Sequence, residues 1–142
     1  MVLQVPVPAI AVPALPAGPT SFEEFLQLDT GELKAEWVEG EVIVLTPLHD
    51  AHSAIQTILP GLMWLFVETR RLGIVRTEMT VRLGSTARAP DLLSLSTANR
   101  SRLRRSFVDG PPDLIVEIVL PDSIERDRVT KLREYEAAGV QE

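Results

Sequence analysis

The chain has 142 residues, 45% of them hydrophobic, and a formal net charge of -6. This length suits one globular domain that buries roughly two thirds of the surface of its unfolded chain. It contains no cysteine, which excludes disulfides, thiolate zinc sites and a cysteine nucleophile and fits a reducing cytoplasm. Because only two histidines are present, we expect oxygen ligands at any metal site, which suit magnesium, manganese or calcium.

The first twenty residues are apolar but are interrupted by five prolines, Pro6, Pro8, Pro13, Pro16 and Pro19. They have no basic region before the apolar stretch, and the prolines would break a signal helix or a membrane-spanning helix. We therefore expect an extended or disordered lead-in over residues 1–20, no membrane segment, and one domain over residues 21–142.

A short helix and a β-hairpin are predicted next. Thr20 and Ser21, each followed three residues later by a glutamate, form overlapping capping-box signals at the start of a helix. Residues 36–45 have the pattern of two strands that meet near Gly40. Glu36 and Glu41 lie on this hairpin, where they either face solvent or extend an acidic site.

A longer helix is predicted from about residue 51. Its apolar side chains recur at helical spacing: Ile55, Ile58, Leu59, Leu62, Leu65 and Phe66. Pro60 lies inside this pattern, so we expect a kink there or a helix that restarts. His52 opens the helix, where a solvent-exposed or capping role competes with proton transfer.

Strands are expected at about residues 73–77, 79–83, 91–96 and 113–120. The last is apolar on both faces apart from one glutamate, which is typical of a central strand covered on both sides. Asp122 or Ser123 could cap a final helix that Gly139 ends.

Two carboxylates stand where strand-like runs should be apolar. Asp91 follows Pro90 and leads into an apolar run, and Glu117 lies inside residues 114–120. A buried carboxylate costs several kcal/mol unless a cation compensates it. The cation could be a metal ion, or Glu117 could form a structural ion pair with Lys131.

Lys131 shares one face of the final predicted helix with Asp127 and Tyr135, at successive i,i+4 steps. It could equally be a surface lysine paired with Asp127.

The sequence also contains two clusters of arginines. They are either solvated surface or phosphate contacts, and they comprise Arg70, Arg71 and Arg76, and then Arg100, Arg102, Arg104 and Arg105.

Residues from about 20 to 142 resemble the Uma-type restriction endonuclease family within the PD-(D/E)XK nuclease superfamily. The resemblance implies an α/β fold with a restriction-endonuclease-like core, in which helices flank a central mixed β-sheet. The matching features are Phe22-Glu23-Glu24-Phe25, Glu36 with Gly40-Glu41, Pro47 followed by His52, Pro90-Asp91, Leu114 through Glu117, and Asp127, Lys131, Tyr135, Gly139 and Val140.

The resemblance also implies a chemistry. Asp91 and Glu117, with the carbonyl of Ile118, would hold Mg²⁺ or Mn²⁺ for phosphodiester hydrolysis in DNA. Val119 stands where the superfamily has a lysine, and Lys131 is the substitute that the final helix could bring to the site. The arginines of the second cluster are the expected nucleic-acid contacts. The alternative is an inactive nuclease-like domain that binds nucleic acid or a protein partner.

Family members usually continue past the Gly139-Val140 pair with a further strand. Here the sequence ends two residues later, so we expect either a truncated chain or a core sheet that lacks one edge. An exposed sheet edge invites pairing with another chain, which makes a homodimer through this region a further expectation.

Overall fold

The computed structural model describes residues 14–31, 33–45, 50–119 and 126–142, with side chains throughout these ranges except at 50–53 and 126–128. Over these residues the chain is an α/β fold with two β-sheets, in which α1 and α2 lie on the outer faces and α3 contacts side chains between the sheets. The helices are α1 (Phe22–Phe25), α2 (Asp50–Thr69) and α3 (Leu132–Ala138), the last preceded by a π-helical turn at Arg126–Lys131. The strands are β1 (Ala35–Val38), β2 (Glu41–Val44), β3 (Gly73–Thr77), β4 (Thr80–Leu83), β5 (Thr86–Arg88), β6 (Leu92–Ser96), β7 (Phe107–Asp109) and β8 (Leu114–Val116).

The capping box predicted before α1 is present. The Ser21 hydroxyl accepts a hydrogen bond from the Glu24 backbone N–H at 3.2 Å, and the Ser21 N–H donates to the Glu24 carboxylate at 2.8 Å. These bonds satisfy donors that a helix start otherwise leaves unpaired, and they lower the pKa of Glu24. The predicted hairpin is confirmed as well, since β1 and β2 pair antiparallel around the turn at Glu39 and Gly40.

One sheet has five strands in the order β2-β1-β5-β4-β7. It is mixed because β7 runs parallel to β4 while the other pairs are antiparallel. α1 packs on its outer face, where Phe22 and Phe25 bury their rings against Ala87. Phe22 and Phe107 meet edge to face with ring centroids 5.1 Å apart.

The other sheet is antiparallel, in the order β3-β6-β8. α2 covers its outer face with Met63 and Val67, which pack on Val75 and Leu92. Within the described ranges, therefore, β6 is the central strand of this sheet. The expectation that residues 113–120 form the central strand is wrong, because β8 spans only Leu114–Val116 and is half-buried.

The two inner sheet faces enclose an apolar core of Ile74, Val81, Leu93, Leu95 and Val108. The layers therefore follow the order α1, five-stranded sheet, three-stranded sheet, α2. The space between the sheets is apolar at this core. The side chains at the other end of the space are the ones that bear on function.

The predicted strands at 73–77, 79–83 and 91–96 match β3, β4 and β6, whereas β5 and β7 were not expected. α2 runs without interruption through Pro60, so the prediction of a helix restart there is wrong. α3 ends at Gly139 in the left-handed conformation, φ 89°, as expected. Asp122 and Ser123 lie outside the described residues. None of the helices in the described ranges is long and apolar enough to cross a membrane.

Candidate active site

Asp91 and Glu117 point into the same space between the sheets. β6 and β8 pair Leu92 with Val116 and Leu93 with Ile115, so the next step of the register sets Asp91 opposite Glu117. Side chains alternate along a strand, and Leu93 and Ile115 belong to the inner core. The two carboxylates, each two residues further on, therefore face the same way.

Asp91 is only 4% exposed, and its carboxylate accepts hydrogen bonds from a backbone N–H and from a lysine. The Ile118 backbone N–H donates to Oδ2 at 2.8 Å, which ties Asp91 to the strand that carries Glu117. Lys34 Nζ lies 2.9 Å from Oδ1. A buried carboxylate needs such partners to remain ionised.

Glu117 accepts two hydrogen bonds on one oxygen. Tyr135 donates its hydroxyl to Oε1 at 2.6 Å, and Lys131 Nζ lies 3.2 Å from the same atom. Burial raises the pKa of Glu117 above its usual value, and the nearby Asp91 adds to that rise, although Lys131 and Tyr135 act against it. Burial, followed by the charge of Glu117, also raises the pKa of Tyr135.

Glu36 is a third buried acid, 1% exposed, on β1 of the other sheet. The register of β1 and β5 sets it opposite Arg88, whose Nη1 lies 2.9 Å from Oε2. Lys131 Nζ lies 2.8 Å from Oε1. The solvent-facing alternative is therefore wrong for Glu36. It holds for Glu41, which is exposed on β2 opposite Val38.

Lys131 joins the two sheets because it contacts Glu36 on one and Glu117 beside the other. Its side chain is 4% exposed, so two buried carboxylates share one buried ammonium. Arg88 is equally buried and binds Glu134 of α3 with two hydrogen bonds, of 2.7 and 2.6 Å. Burial acts to lower the pKa of Arg88, but the carboxylates of Glu134 and Glu36 outweigh it and raise the pKa further above its ordinary range.

We call this group of eight side chains the charged cluster. It has three cations and four carboxylates, together with the tyrosine: Lys34, Arg88, Lys131, Glu36, Asp91, Glu117, Glu134 and Tyr135. The sequence reasoning missed Lys34, Arg88 and Glu134. Two signals could have found Lys34 and Glu134, since Lys34 stands two residues before Glu36 and Glu134 stands one helical turn after Lys131.

Not every predicted site residue joins the charged cluster. The side chains of His52 and Asp127 lie outside the described residues. The loop that carries Arg100, Arg102, Arg104 and Arg105, here called the arginine-rich loop, follows the end of β6 opposite to Asp91. At that end the Thr97 N–H donates to the carbonyl of Leu72. Because β6 has five residues at about 3.3 Å each, the loop lies roughly 17 Å from Asp91.

Within that loop, only some of the arginines are available to a ligand. Arg102 donates to the carbonyl of Pro111, and Arg104 donates to the carbonyl of Ser101 at 2.6 Å and pairs with Asp109 at 3.5 Å. Arg100 and Arg105 are exposed. Arg71 lies beside the loop, because its carbonyl accepts from the Thr97 hydroxyl at 3.3 Å.

The donor chemistry of the charged cluster fits a hard divalent cation. Asp91 and Glu117 offer oxygen atoms on one face, and Mg²⁺ is commonly held by one or two carboxylates with water and substrate phosphate completing its shell. The mutual charge of these two acids, which contributes to the raised pKa of Glu117, is what such a cation would relieve. A cage of three or more acidic or histidine ligands is not found among the described side chains.

A groove of about 430 Å³ lies between α2 and the end of β3. It is lined by Gln56, Thr57, Pro60, Thr77 and Glu78. The Glu78 N–H donates to the carbonyl of Asp91 at 3.4 Å. The groove therefore lies at the end of β6 where Asp91 stands.

Comparison with known proteins gives the family and the fold of the chain. The model of the Uma2 family, described as "Putative restriction endonuclease", matches residues 22–142. A crystal structure described as that of a "putative nuclease belonging to DUF820" from Anabaena variabilis has the same fold, with a TM-score of 0.72. It is 24% identical over 87% of this chain and 71% of its own. No curated protein matches.

Proposed function

The chain belongs to the Uma2 family of restriction-endonuclease-like proteins, and from this premise we propose that it is a metal-dependent endonuclease that hydrolyses phosphodiester bonds in DNA. The observation that carries the proposal is a pair of carboxylates on one inner face and beside a lysine: buried Asp91, and Glu117, whose side chain is 15% exposed. Such a pair is costly to desolvate, and apolar residues in its place are often as stabilising or more so.

Asp91 and Glu117 would hold a Mg²⁺ or Mn²⁺ ion, with the backbone carbonyl of Ile118 as a further oxygen ligand. When bound, the ion would polarise a phosphoryl oxygen and make an attacking water more acidic. Ile118 N–H and Lys34 orient Asp91. Tyr135 and Lys131 orient Glu117 through one oxygen.

The lysines have different surroundings, which suggests different roles. Lys131 lies between Glu36 and Glu117 and is nearly inaccessible, so it is suited to hold the acids in place and to balance their charge. Lys34 is 20% exposed and is the cation nearest solvent among Lys34, Arg88 and Lys131. We therefore assign the contact with the substrate phosphate to Lys34.

A second function is favoured by one observation, namely that both oxygens of Asp91 already have protein partners. A domain whose acids and cations balance each other could bind nucleic acid or a protein partner without cleaving. In that case the carboxylates and cations of the charged cluster would only compensate one another's charge, with no catalytic role.

A cleavage assay separates these functions. A mixed pool of DNA duplexes is incubated with Mg²⁺ or Mn²⁺ and with the parent chain, Asp91→Asn, Glu117→Gln, Lys34→Gln or Glu41→Gln. We expect cleavage by the parent and by Glu41→Gln, because Glu41 is exposed and outside the charged cluster. Asp91→Asn and Glu117→Gln should abolish it, and Lys34→Gln should reduce it about 10² to 10³-fold, the loss typical of one charge-stabilising donor. A parent that retains DNA without cutting it would support the binding function.

A further inference from the structure

α2 carries an apolar stripe on the side that faces away from the sheets. Its five members are about half exposed or more: Ile55 49%, Ile58 63%, Leu62 61%, Leu65 55% and Phe66 49%. These side chains are among those whose helical spacing predicted α2 from the sequence. The helix instead packs on its sheet with Met63 and Val67, so it is apolar on two sides.

The spacing of the stripe is that of a helix-to-helix seam. Ile55, Ile58, Leu62 and Leu65 follow one another at intervals of three, four and three residues, the repeat found where two helices pack along their length. The fifth member, Phe66, lies one turn after Leu62, and the stripe has no charged member. Arg70 lies at its end, with its guanidinium 4.2 Å from the centre of the Phe66 ring.

We propose that a second copy of this chain docks on the stripe, with the two α2 helices antiparallel about a two-fold axis near Leu62. Leu62 lies midway between Ile58 and Phe66, so an antiparallel pair sets Leu62 against its own copy and Ile58 against Phe66. A two-fold interface is built from the same patch on both subunits. An uncharged stripe meets no like charge when it pairs with itself.

The exposed area agrees with a dimer. Large side chains offer on the order of 150–250 Å² each when free, and at the fractions above the five members expose roughly 500 Å² per copy. A stable interface buries about 800 Å² per partner. The stripe alone thus supplies more than half, and the polar residues that flank it along α2 can supply the rest.

This interface does not rest on the proposed nuclease function. It also differs from dimerisation through the sheet edge at β8, where the Ile115 N–H already donates to the carbonyl of Glu142 at 2.8 Å. The two dimers bury different residues, so a substitution on α2 distinguishes them.

Sedimentation equilibrium of the full chain over a wide concentration range tests the proposal. We expect a reversible dimer for the parent, and Leu62→Glu should raise its dissociation constant about a hundredfold or more, because each copy would bury a charge at the centre of the seam. Trp64→Glu is the matched control. Trp64 is 55% exposed but lies about 160° around the helix from Leu62, so its dimer should persist.

The chain has no cysteine, which allows a second test by disulfide formation. Leu62→Cys should cross-link with its own copy under mild oxidation, since the paired positions come within the distance that a disulfide spans. Trp64→Cys should not. A parent that is monomeric at every concentration, a dimer that survives Leu62→Glu unchanged, or equal cross-linking of the two cysteine variants would overturn the proposal.

Discussion

Lys131 is the residue on which the charged cluster depends most. It is 3% exposed and contacts buried carboxylates from two different layers, Glu36 at 2.8 Å and Glu117 at 3.2 Å. Removing one partner of a buried ion pair leaves an uncompensated charge, which costs more than the pair itself contributes. The same residue can therefore be required for folding and for activity.

Replacing Lys131 tests its structural role. We expect Lys131→Met to lower the free energy of unfolding by about 3–5 kcal/mol, because it leaves Glu36 and Glu117 buried without their shared ammonium. Arg133→Met is the control, since Arg133 is an exposed residue on the same helix and should change stability by less than about 0.5 kcal/mol. Urea unfolding measures both. Equal urea midpoints for the two variants would show that Lys131 does not stabilise the folded chain.

The raised pKa of Glu117 predicts a pH dependence of the metal-free protein. A carboxyl with a higher pKa in the folded than in the unfolded chain binds more protons when folded, so stability falls as the pH rises from its ordinary pKa through the raised one. Glu117→Gln should remove this fall. Urea midpoints in the presence of a chelator, compared from about pH 4.5 upward, provide the measurement. A parallel fall in the parent and the variant would assign the effect to another group.

At the scale of the elements, the sequence predicted those helix ends and turns that are determined by a few neighbouring residues. The capping box placed α1, the Glu39-Gly40 turn placed the hairpin, and Gly139 ended α3. β5 and β7 escaped prediction because each has three residues, too few for an alternating pattern. The apolar face of α2 was identified, but the pattern could not show which side meets the sheet.

Gly73 has a role that the sequence alone did not reveal. It begins β3 opposite Ser96, and a Cβ added there would lie 1.9 Å from the carbonyl oxygen of Leu95. The two strands can approach this closely only because Gly73 has no side chain.

Gly73→Ala should therefore lower the free energy of unfolding by about 2–4 kcal/mol, because β3 must move away from β6. Gly61→Ala provides a contrast of opposite sign. Nothing lies within 4 Å of a Cβ built at Gly61, and alanine in a helix is favoured over glycine by roughly 0.5–1 kcal/mol. Thermal melts of both variants test the pair, and a Gly73→Ala melt equal to that of the parent would show that the strands adjust freely.

At the scale of the whole molecule, the two ends of β6 differ in charge. Asp91 and the charged cluster stand at one end, and the arginine-rich loop stands at the other, roughly 17 Å away. The sequence reasoning identified Asp91 and Glu117 from carboxylates inside apolar runs, because buried charge has a local signature. It could not show that Arg88 belongs to the charged cluster, or that Glu36 is buried while Glu41 is exposed. Those outcomes depend on how β1 and β5 pair across about fifty residues of sequence.

The arginine-rich loop is expected to contribute to DNA binding through phosphate charge. Arg100 and Arg105 are exposed, which leaves their charges accessible to the phosphates of a bound duplex. Replacing both with alanine should reduce the slope of log affinity against log salt by about 0.9 for each phosphate that the protein no longer neutralises. Filter binding at several salt concentrations measures this slope. An unchanged slope would place the DNA on another face, and an unchanged affinity for metal ions would confirm that the charged cluster is intact.

The central claim, that Asp91 and Glu117 form a metal-binding catalytic centre, is tested most directly by calorimetric titration with Mn²⁺. The parent chain is compared with Glu117→Gln, which keeps the shape of the side chain, and with Glu41→Gln, which makes the same change at an exposed position. We predict that the parent and Glu41→Gln each bind one ion per chain, and that binding is weaker by more than about tenfold in Glu117→Gln. Equal binding by all three proteins, or no binding by the parent, would contradict the claim.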